Sequence, residues 1–413
     1  MISNQSPLPK TKKNLKIGVI GSGLMGHGIA YVSAISGMEV VMADISQLQL
    51  DNGLGKIKKI LNDSLIKGFI TEKEVNKALL NINATVDYSS LNECDLIIEA
   101  VYENRELKAE VIIKTEKFLS PDGILASNTS TILISRLAEN AIRPEKFIGI
   151  HFFSPVHKMK LVEIIKGKKT NTKTLDQAVE FVTLINKVPI IVNDSSGFYT
   201  TRVFERYTRE GMALLAEGNS AEVIELAAKK AGFPVGPLAV IDEISIELVE
   251  HIRSEMSHDL KAEGKELTLG PWDEVINLMI KKVNRTGRSG GGGFYEYPKK
   301  GKKFLWPDLQ KYFPLSEKQL SEEEIIDRFY FSQVIESIRC YEENVITSVN
   351  DANVGSILGW GFPSEKGGTL QFVNDYGLIN FKNRSHELAD KYGDRFNPPK
   401  ILENMIEKSE TFK

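Results

Sequence analysis

The run Gly21-Ser22-Gly23-Leu24-Met25-Gly26 constrains the fold more than any other feature of this chain. It directly follows the short apolar stretch Leu15–Ile20 and opens a helical pattern that continues to Ile35. In that setting the first glycine makes a tight turn and the second lets a phosphate approach the backbone. The third lets the helix lie close on the strand, with its amino end turned toward negative charge. A second apolar stretch, Glu39–Ala43, ends in Asp44, 23 residues after Gly21. An acid at that place accepts hydrogen bonds from the adenosine ribose hydroxyls and repels a 2′-phosphate. Ile45 and Ser46 offer no cation for such a phosphate. Strand, glycines, helix, strand and acid in this order predict an NAD-binding, Rossmann-type βαβ unit, with Gly21, Gly23, Gly26 and Asp44 holding the cofactor.

The same alternation extends to about Val192. Apolar runs recur at Lys16–Ile20, Glu39–Ala43, Asp95–Ala100, Ile124–Ser127, Phe147–Phe153, Leu161–Ile165 and Pro189–Val192, separated by amphipathic stretches. That pattern predicts an α/β domain over 15–193 with a mostly parallel sheet covered on both faces. Ile57, Ile60, Leu61 and Leu65 have helical period, with a break near Gly68–Thr71, so a helical pair follows the second strand. Past Gly197 the strand-like runs stop. Helical patterns fill 198–283, broken at Gly232–Pro237 and around Gly264–Pro271, and a glycine-rich loop and a basic connector come next. Ser321–Glu324 then reads as a helix start, a hydroxyl followed by acids. Arg202, Glu210 and Glu217 return 126 residues later as Arg328, Glu336 and Glu343. Each set leads to a Gly-Phe-Pro, Gly232–Pro234 and Gly361–Pro363, and then to an Asp, Asp242 or Asp375. A duplicated helical unit is the reading, with copies at 194–300 and 321–413 joined by a connector at 301–320.

Bulk properties narrow the function. A net charge of −3 with both signs mixed gives no reason to expect nucleic acid. Two cysteines make neither a disulfide framework nor a metal site and fit a reducing compartment, and no metal is expected. Residues 1–14 read as a flexible arm, not a secretory or transit signal, and no apolar run is long enough to span a membrane. A cytoplasmic location is expected. Among six histidines, His151 stands out because it ends an apolar strand of the dinucleotide domain. Histidine suits the removal of a hydroxyl proton as hydride leaves the carbon. Glu163 lies inside the next apolar run, where a charge is costly unless paired, so it is the candidate partner for one imidazole nitrogen. A structural histidine and an edge-strand acid fit the same pattern equally well. Glu103 and the segment Ser127-Asn128-Thr129-Ser130 follow strand ends, where ligands of open α/β sheets bind; Ser130 suits a capping or turn role as well.

Together these segments resemble the 3-hydroxyacyl-CoA dehydrogenase family, closest to the dehydrogenase part of the multifunctional fatty-acid β-oxidation enzymes. The resemblance runs from about Leu15 to the C-terminus. It is carried by Gly21–Gly26, Ile98–Asn104, Ser127–Ser130, His151-Phe152-Phe153-Ser154-Pro155, Lys160–Glu163, Gly232–Gly236 and Gly290–Tyr297. It implies a Rossmann-type domain followed by two related all-α helical domains like the C-terminal domain of 6-phosphogluconate dehydrogenase. It implies His151 as general base in oxidation and acid in reduction, Glu163 as its orienting partner, and Ser130 as hydrogen-bond donor to the substrate's 3-oxygen. Glu103 would lie near the nicotinamide ribose, Lys108 would contact the cofactor, and Lys56, Lys58 or Lys59 would meet coenzyme A phosphates. An acyl-CoA thioester is the implied substrate. The second helical copy implies a monomer holding an internal pseudo-dimer. No hydratase segment is present, so a separate enoyl-CoA hydratase, and a thiolase, would act beside it.

Three positions depart from the family's pattern. Ser154 stands where Asn is usual in His-Phe-Phe-Asn-Pro, and Thr201 where Asn usually precedes Arg202; Pro is also usual where Ser196 stands. A hydroxyl on a shorter arm replaces a donor and an acceptor, and losing one positioning bond costs on the order of 1 kcal/mol. Two further readings follow: a dehydrogenase for a different 3-hydroxy acid or a carrier-bound 3-hydroxyacyl group, and a non-catalytic NAD-binding scaffold.

Overall fold

The structure, a computed structural model, describes residues 15–262, 266 and 269–413. The arm expected at 1–14 and part of the break expected near Gly264–Pro271 lie outside the described residues. The chain forms two compact units that meet between Phe198 and Tyr199.

The first unit contains β1 (Lys16–Ile20), α1 (Gly26–Ile35), β2 (Glu39–Ala43), α2 (Gln47–Ile66), α3 (Glu72–Leu80), β3 (Ile82–Thr85) and β4 (Cys94–Glu99). It continues with α4 (Arg105–Thr115), β5 (Leu119–Ser127), α5 (Ile134–Leu137), β6 (Phe147–Phe152), β7 (Leu161–Lys166), α6 (Thr172–Leu184) and β8 (Val188–Asn193). One eight-stranded sheet runs β3-β2-β1-β4-β5-β6-β7-β8. All neighbours are parallel except β6 and β7. The inserted helical pair is α2 and α3. Ser46 caps the first, and the second starts at a Thr71–Glu74 capping box. β3 was not legible in the sequence because Ile82-Asn83-Ala84-Thr85 is a short edge strand without a buried residue.

Strand alternation divides the residues between two faces. Ile17, Val19, Val40, Met42, Leu96, Ile98, Ile124, Ala126, Ile148, Ile150, Val162 and Ile164 face the main core with Ile29 of α1 and Phe181 of α6. The opposite face carries the intervening residues, which include Glu99, Ser127, His151 and Glu163, under α4 and α5. The unit runs past the end of β8 for a definable reason. Asp194 accepts hydrogen bonds from the backbone N–H groups of Ile134 and Ser135, fastening the following segment to the start of α5.

Helices dominate the second unit: α7 (Thr200–Ala216), α8 (Ala221–Lys230), α9 (Pro237–Ile244), α10 (Ile246–Ala262) and α11 (Pro271–Asn277). A small antiparallel pair, β9 (Tyr295–Glu296) and β10 (Phe304–Leu305), and the short α12 (Leu309–Tyr312) occupy the region read as glycine-rich loop and connector. Then come α13 (Glu322–Glu342), α14 (Val349–Trp360), α15 (Thr369–Tyr376), α16 (Leu378–Tyr392) and α17 (Ile401–Glu407). Ser321 caps α13, accepting from the Glu324 N–H at 3.2 Å.

The repeated residues meet each other reciprocally. Arg202 pairs with Glu336 and Glu343, both at 2.6 Å, and Arg328 pairs with Glu210 and Glu217, both at 2.5 Å. A methyl group built on Gly232 would sit 3.2 Å from Pro363, and one on Gly361 would sit 2.6 Å from Pro234. The last pair of the repeat diverges. Asp242 is buried and accepts from the Phe294 and Tyr295 N–H groups, whereas Asp375 is exposed and accepts from Gln371.

Candidate active site

The glycine turn supplies what a dinucleotide needs. Gly21 has φ +95°, a conformation open to glycine, and its N–H donates to the Ala43 carbonyl at 2.7 Å. A methyl group on Gly26 would lie 1.7 Å from the Gly21 oxygen, so only glycine lets α1 pack against the turn. On Gly23 it would meet nothing within 4 Å, which leaves the backbone there open to a ligand. No side chain caps α1 and its first turn carries no acid, so its amino end is available to a pyrophosphate. Asp44 accepts from the Ser22 N–H, the Ser22 hydroxyl and the Ile45 N–H, each at 2.7 Å. A carboxylate has about four acceptor positions, so capacity remains for a ribose hydroxyl. Gly21, Gly23, Asp44, Tyr88 and Glu103 line a cleft of about 660 Å³. Leu24, Ile45 and Tyr102 stand 68%, 86% and 67% exposed along it, apolar surface suited to a flat ring. These residues fit NAD.

At the carboxyl end of β6, His151 lies directly opposite Glu163 of β7 in the antiparallel register. Its Nδ1 is 3.0 Å from Glu163 Oε2, and the two residues are 7% and 0% exposed. A carboxylate only accepts, so Nδ1 carries the hydrogen and Nε2 keeps its lone pair for a proton. Phe153 lies 4.6 Å and Phe198 6.2 Å from the imidazole, ring centre to ring centre, and enclose it on an apolar surface. Asn128 accepts from the Phe152 N–H at 2.8 Å and so holds the end of β6 against the turn after β5.

That turn carries Ser130, whose N–H donates to Glu103 Oε1 at 3.1 Å. Thr129 and Thr131 donate their hydroxyls to the same oxygen. Burial pushes the Glu103 carboxyl up, but Lys108 and the donors from Thr129 and Ser130 outweigh it and hold the group below the usual carboxylate range. Lys108 does not face the open cleft. It is 1% exposed and its ammonium reaches both oxygens of Glu99 at 3.0 Å and Glu103, which lines the cleft, at 3.2 Å. Burial opposes its charge, and the two acids reverse that and raise its pKa.

Other expected residues are placed separately. Ser154 is exposed just after His151 and Phe153. Lys56, Lys58 and Lys59 are all exposed on α2; Lys56 is the one whose charge adds to burial in lowering the pKa of His27 on α1. Thr201 belongs to the second unit, in the first turn of α7, where it lines a mainly apolar pocket with Phe204, Met212 and Trp272. Sequence reasoning gave no separate role to Glu99, Phe198 or Lys187, and it named Asn128 only as part of the segment after β5. Glu99 carried the signal that marked Glu163, a charge inside an apolar run. Lys187 is buried and donates to the Val156 and Met159 carbonyls, both at 2.6 Å, pinning the loop after His151. Among the described residues there is no cluster of metal-ligating side chains, and Cys94 and Cys340 are buried free thiols.

A family model described as 3-hydroxyacyl-CoA dehydrogenase, NAD binding domain, matches residues 16–195, and the corresponding C-terminal domain model matches 197–297. The chain belongs to the 3-hydroxyacyl-CoA dehydrogenase family. Its members are NAD-dependent oxidoreductases, and NAD is the cofactor. The (S)-3-hydroxybutyryl-CoA dehydrogenase of Ralstonia eutropha is 31% identical with TM-score 0.63, over 69% of this chain and 99% of its own. The 3-hydroxybutyryl-CoA dehydrogenase of Escherichia coli shares the fold over 96% of this chain and 99% of its own, with TM-score 0.81 and 24% identity. The dehydrogenase part of multifunctional enzyme 1 from C. elegans shares it over 98% and 93%, with TM-score 0.66 and 22% identity. The Rossmann-type sheet followed by helical C-terminal structure is thus the family's fold. Among the described residues no helix is long and apolar enough to cross a membrane.

Proposed function

We propose that this dehydrogenase converts L-3-hydroxyacyl-CoA to 3-ketoacyl-CoA, reversibly, in fatty-acid β-oxidation or related acyl metabolism. The observation that carries the reading is the buried His151–Glu163 pair at 3.0 Å. Bound NAD supplies the hydride acceptor. His151 Nε2 takes the 3-hydroxyl proton, and Glu163 stabilises the imidazolium that forms. The Ser130 hydroxyl steadies the 3-oxygen, and Ser154 and Thr201 help to position the substrate. Lys59, or its neighbour Lys56 or Lys58, meets phosphates of coenzyme A, which the exposure of all three on α2 permits. Gly21, Gly23, Gly26 and Asp44 hold the dinucleotide, with Glu103 toward the nicotinamide ribose.

The reciprocal ion pairs of Arg202 and Arg328 support a duplicated helical unit and, with it, a monomer carrying an internal pseudo-dimer. Such an enzyme works in the cytoplasm beside a separate enoyl-CoA hydratase and thiolase. NADH oxidation measured with 3-ketoacyl-CoA thioesters of increasing acyl length tests the reading. No turnover at any length, with NADH still bound, would end it. Turnover only of a free 3-keto acid or a carrier-bound thioester would favour the second reading, which the Ser154 and Thr201 replacements motivate.

A further inference from the structure

Behind the cleft lies a chain of charges whose purpose the proton-transfer pair does not account for. Glu99 ends β4 and is completely buried. It accepts from the Ser127 hydroxyl and from the Val101 N–H at 3.3 Å, and takes two contacts from Lys108 at 3.0 Å. The third direction of the Lys108 ammonium goes to Glu103 Oε2 at 3.2 Å. The other oxygen of Glu103, Oε1, gathers the Thr129 hydroxyl, the Ser130 N–H and the Thr131 hydroxyl. Ser127 closes the circuit, since its hydroxyl also accepts from the Thr129 N–H at 3.2 Å.

The Ser127 and Thr129 hydroxyls, the Ser130 N–H and the Thr131 hydroxyl thus belong to one network, whose only cation among the described residues is Lys108. A bare ammonium buried to this degree is expensive unless paired, and Glu99 alone already meets Lys108 with both of its oxygens, so the further contact to Glu103 ties the pair to the turn. We infer that Lys108 is a positioning residue for Ser130, acting through Glu103: locked by Glu99, it holds the Glu103 carboxylate as an anion in the orientation from which Oε1 fixes the turn. The inference rests on the proposed 3-hydroxyacyl-CoA reaction, in which Ser130 touches the substrate oxygen. The groups facing Glu103 are Lys108 from α4 and Thr129, Ser130 and Thr131 from the turn, with Glu99 of β4 one step behind. With Lys108 removed, burial acts on Glu103 against two or three hydrogen bonds alone, and its protonated form becomes accessible as the pH falls.

The test is the pH profile of kcat for Lys108→Met and wild type, both as full-length chains with saturating NADH and a 3-ketoacyl-CoA. The ratio of variant to wild type is expected to fall by about fivefold or more between roughly pH 8 and pH 6, with the Km for the thioester changing less. Placed in a Glu103→Gln background, Lys108→Met should add no further acid-side loss. A Lys108→Met ratio that is flat across pH, whether high or low, overturns the inference. If Lys108→Met does not fold, Thr129→Val, which cuts the network at the turn, must lower kcat at least about threefold with NADH affinity retained; kcat unchanged in that variant also overturns it. Wild-type turnover in the same series separates the two claims: an inactive wild type removes both, and an active one with a flat ratio removes only this one.

Discussion

Replacing Glu163 by Gln is the sharpest perturbation of the candidate site. Gln matches Glu in size, and its amide oxygen can still accept from His151 Nδ1 across the 3.0 Å contact, so the fold and the ring orientation are kept. What disappears is the charge opposite an imidazole that becomes positive as it takes the hydroxyl proton. Two unit charges about 4 Å apart at an effective dielectric near 20 attract by roughly 4 kcal/mol. A charge-assisted hydrogen bond valued from mutational series contributes about 1.5–3 kcal/mol net. Taking about 2–4 kcal/mol, and about 1.4 kcal/mol per decade, kcat for oxidation should fall roughly 30- to 1,000-fold. The Km for NAD should stay within about threefold, since Glu163 sits on β7, behind the histidine and four strands along the sheet from β1, which the glycine turn follows. Steady-state formation of NADH from a 3-hydroxyacyl-CoA reads both numbers, and thermal unfolding confirms that the variant is intact. A stable Glu163→Gln enzyme with kcat within about threefold of wild type would refute the assignment of His151 as the proton acceptor.

The two glycines that differ in their surroundings should part company. Gly23→Ala should unfold like wild type but bind NADH about tenfold or more weakly by fluorescence titration, because its methyl enters open space where a phosphate approaches; Gly26→Ala should fail to fold or lose several degrees in Tm, because its methyl overlaps the Gly21 carbonyl. Lys187 is held by burial at a pKa of about 8, below its unfolded value, so the folded chain sheds this proton first and stability from this group rises with pH from about 8 toward 10.5. Urea unfolding of Lys187→Met should lack that rise, and an identical slope in both proteins would exclude the buried ammonium. Arg328→Met should cost about 3 kcal/mol and Arg202→Met about 1–2 kcal/mol in urea unfolding. Arg328 is completely buried, whereas Arg202 is partly exposed and leaves Glu336 with Arg206 and Arg339. Equal costs would contradict that burial difference.

Where the sequence was legible, one local rule governed each element. The glycine turn, Asp44 and the α2–α3 pair follow from spacing and capping, and His151 and Glu163 from charges set in apolar runs. A register cannot be read that way. That residues 151 and 163 stand opposite each other depends on β7 running against β6, and nothing within either strand states its direction. β9 and β10 were hidden for a different reason: two-residue strands carry no period to detect. Lys108 was named only through the family resemblance, and only the side-chain network reveals the two acids that it meets.

One sequence signal, a charge among apolar neighbours, marks two different physical situations in this chain. In the second unit it marks Glu210 and Arg328, whose partners neutralise one another and sit on helices that repeat each other's pattern. In the first unit it marks Glu99 and Glu163, each on the sheet face away from the main core and each near the carboxyl end of a strand or opposite one. An ion pair that only holds helices together has no need of a strand end, where backbone groups and ligands converge. Glu99 and Glu163 reach instead toward residues, Lys108 with Glu103 and His151, that stand between them and the space where a ligand binds. The cost of burying those two carboxylates is therefore best understood as the cost of orienting a histidine and a serine-bearing turn, and not as a contribution to the stability of the sheet.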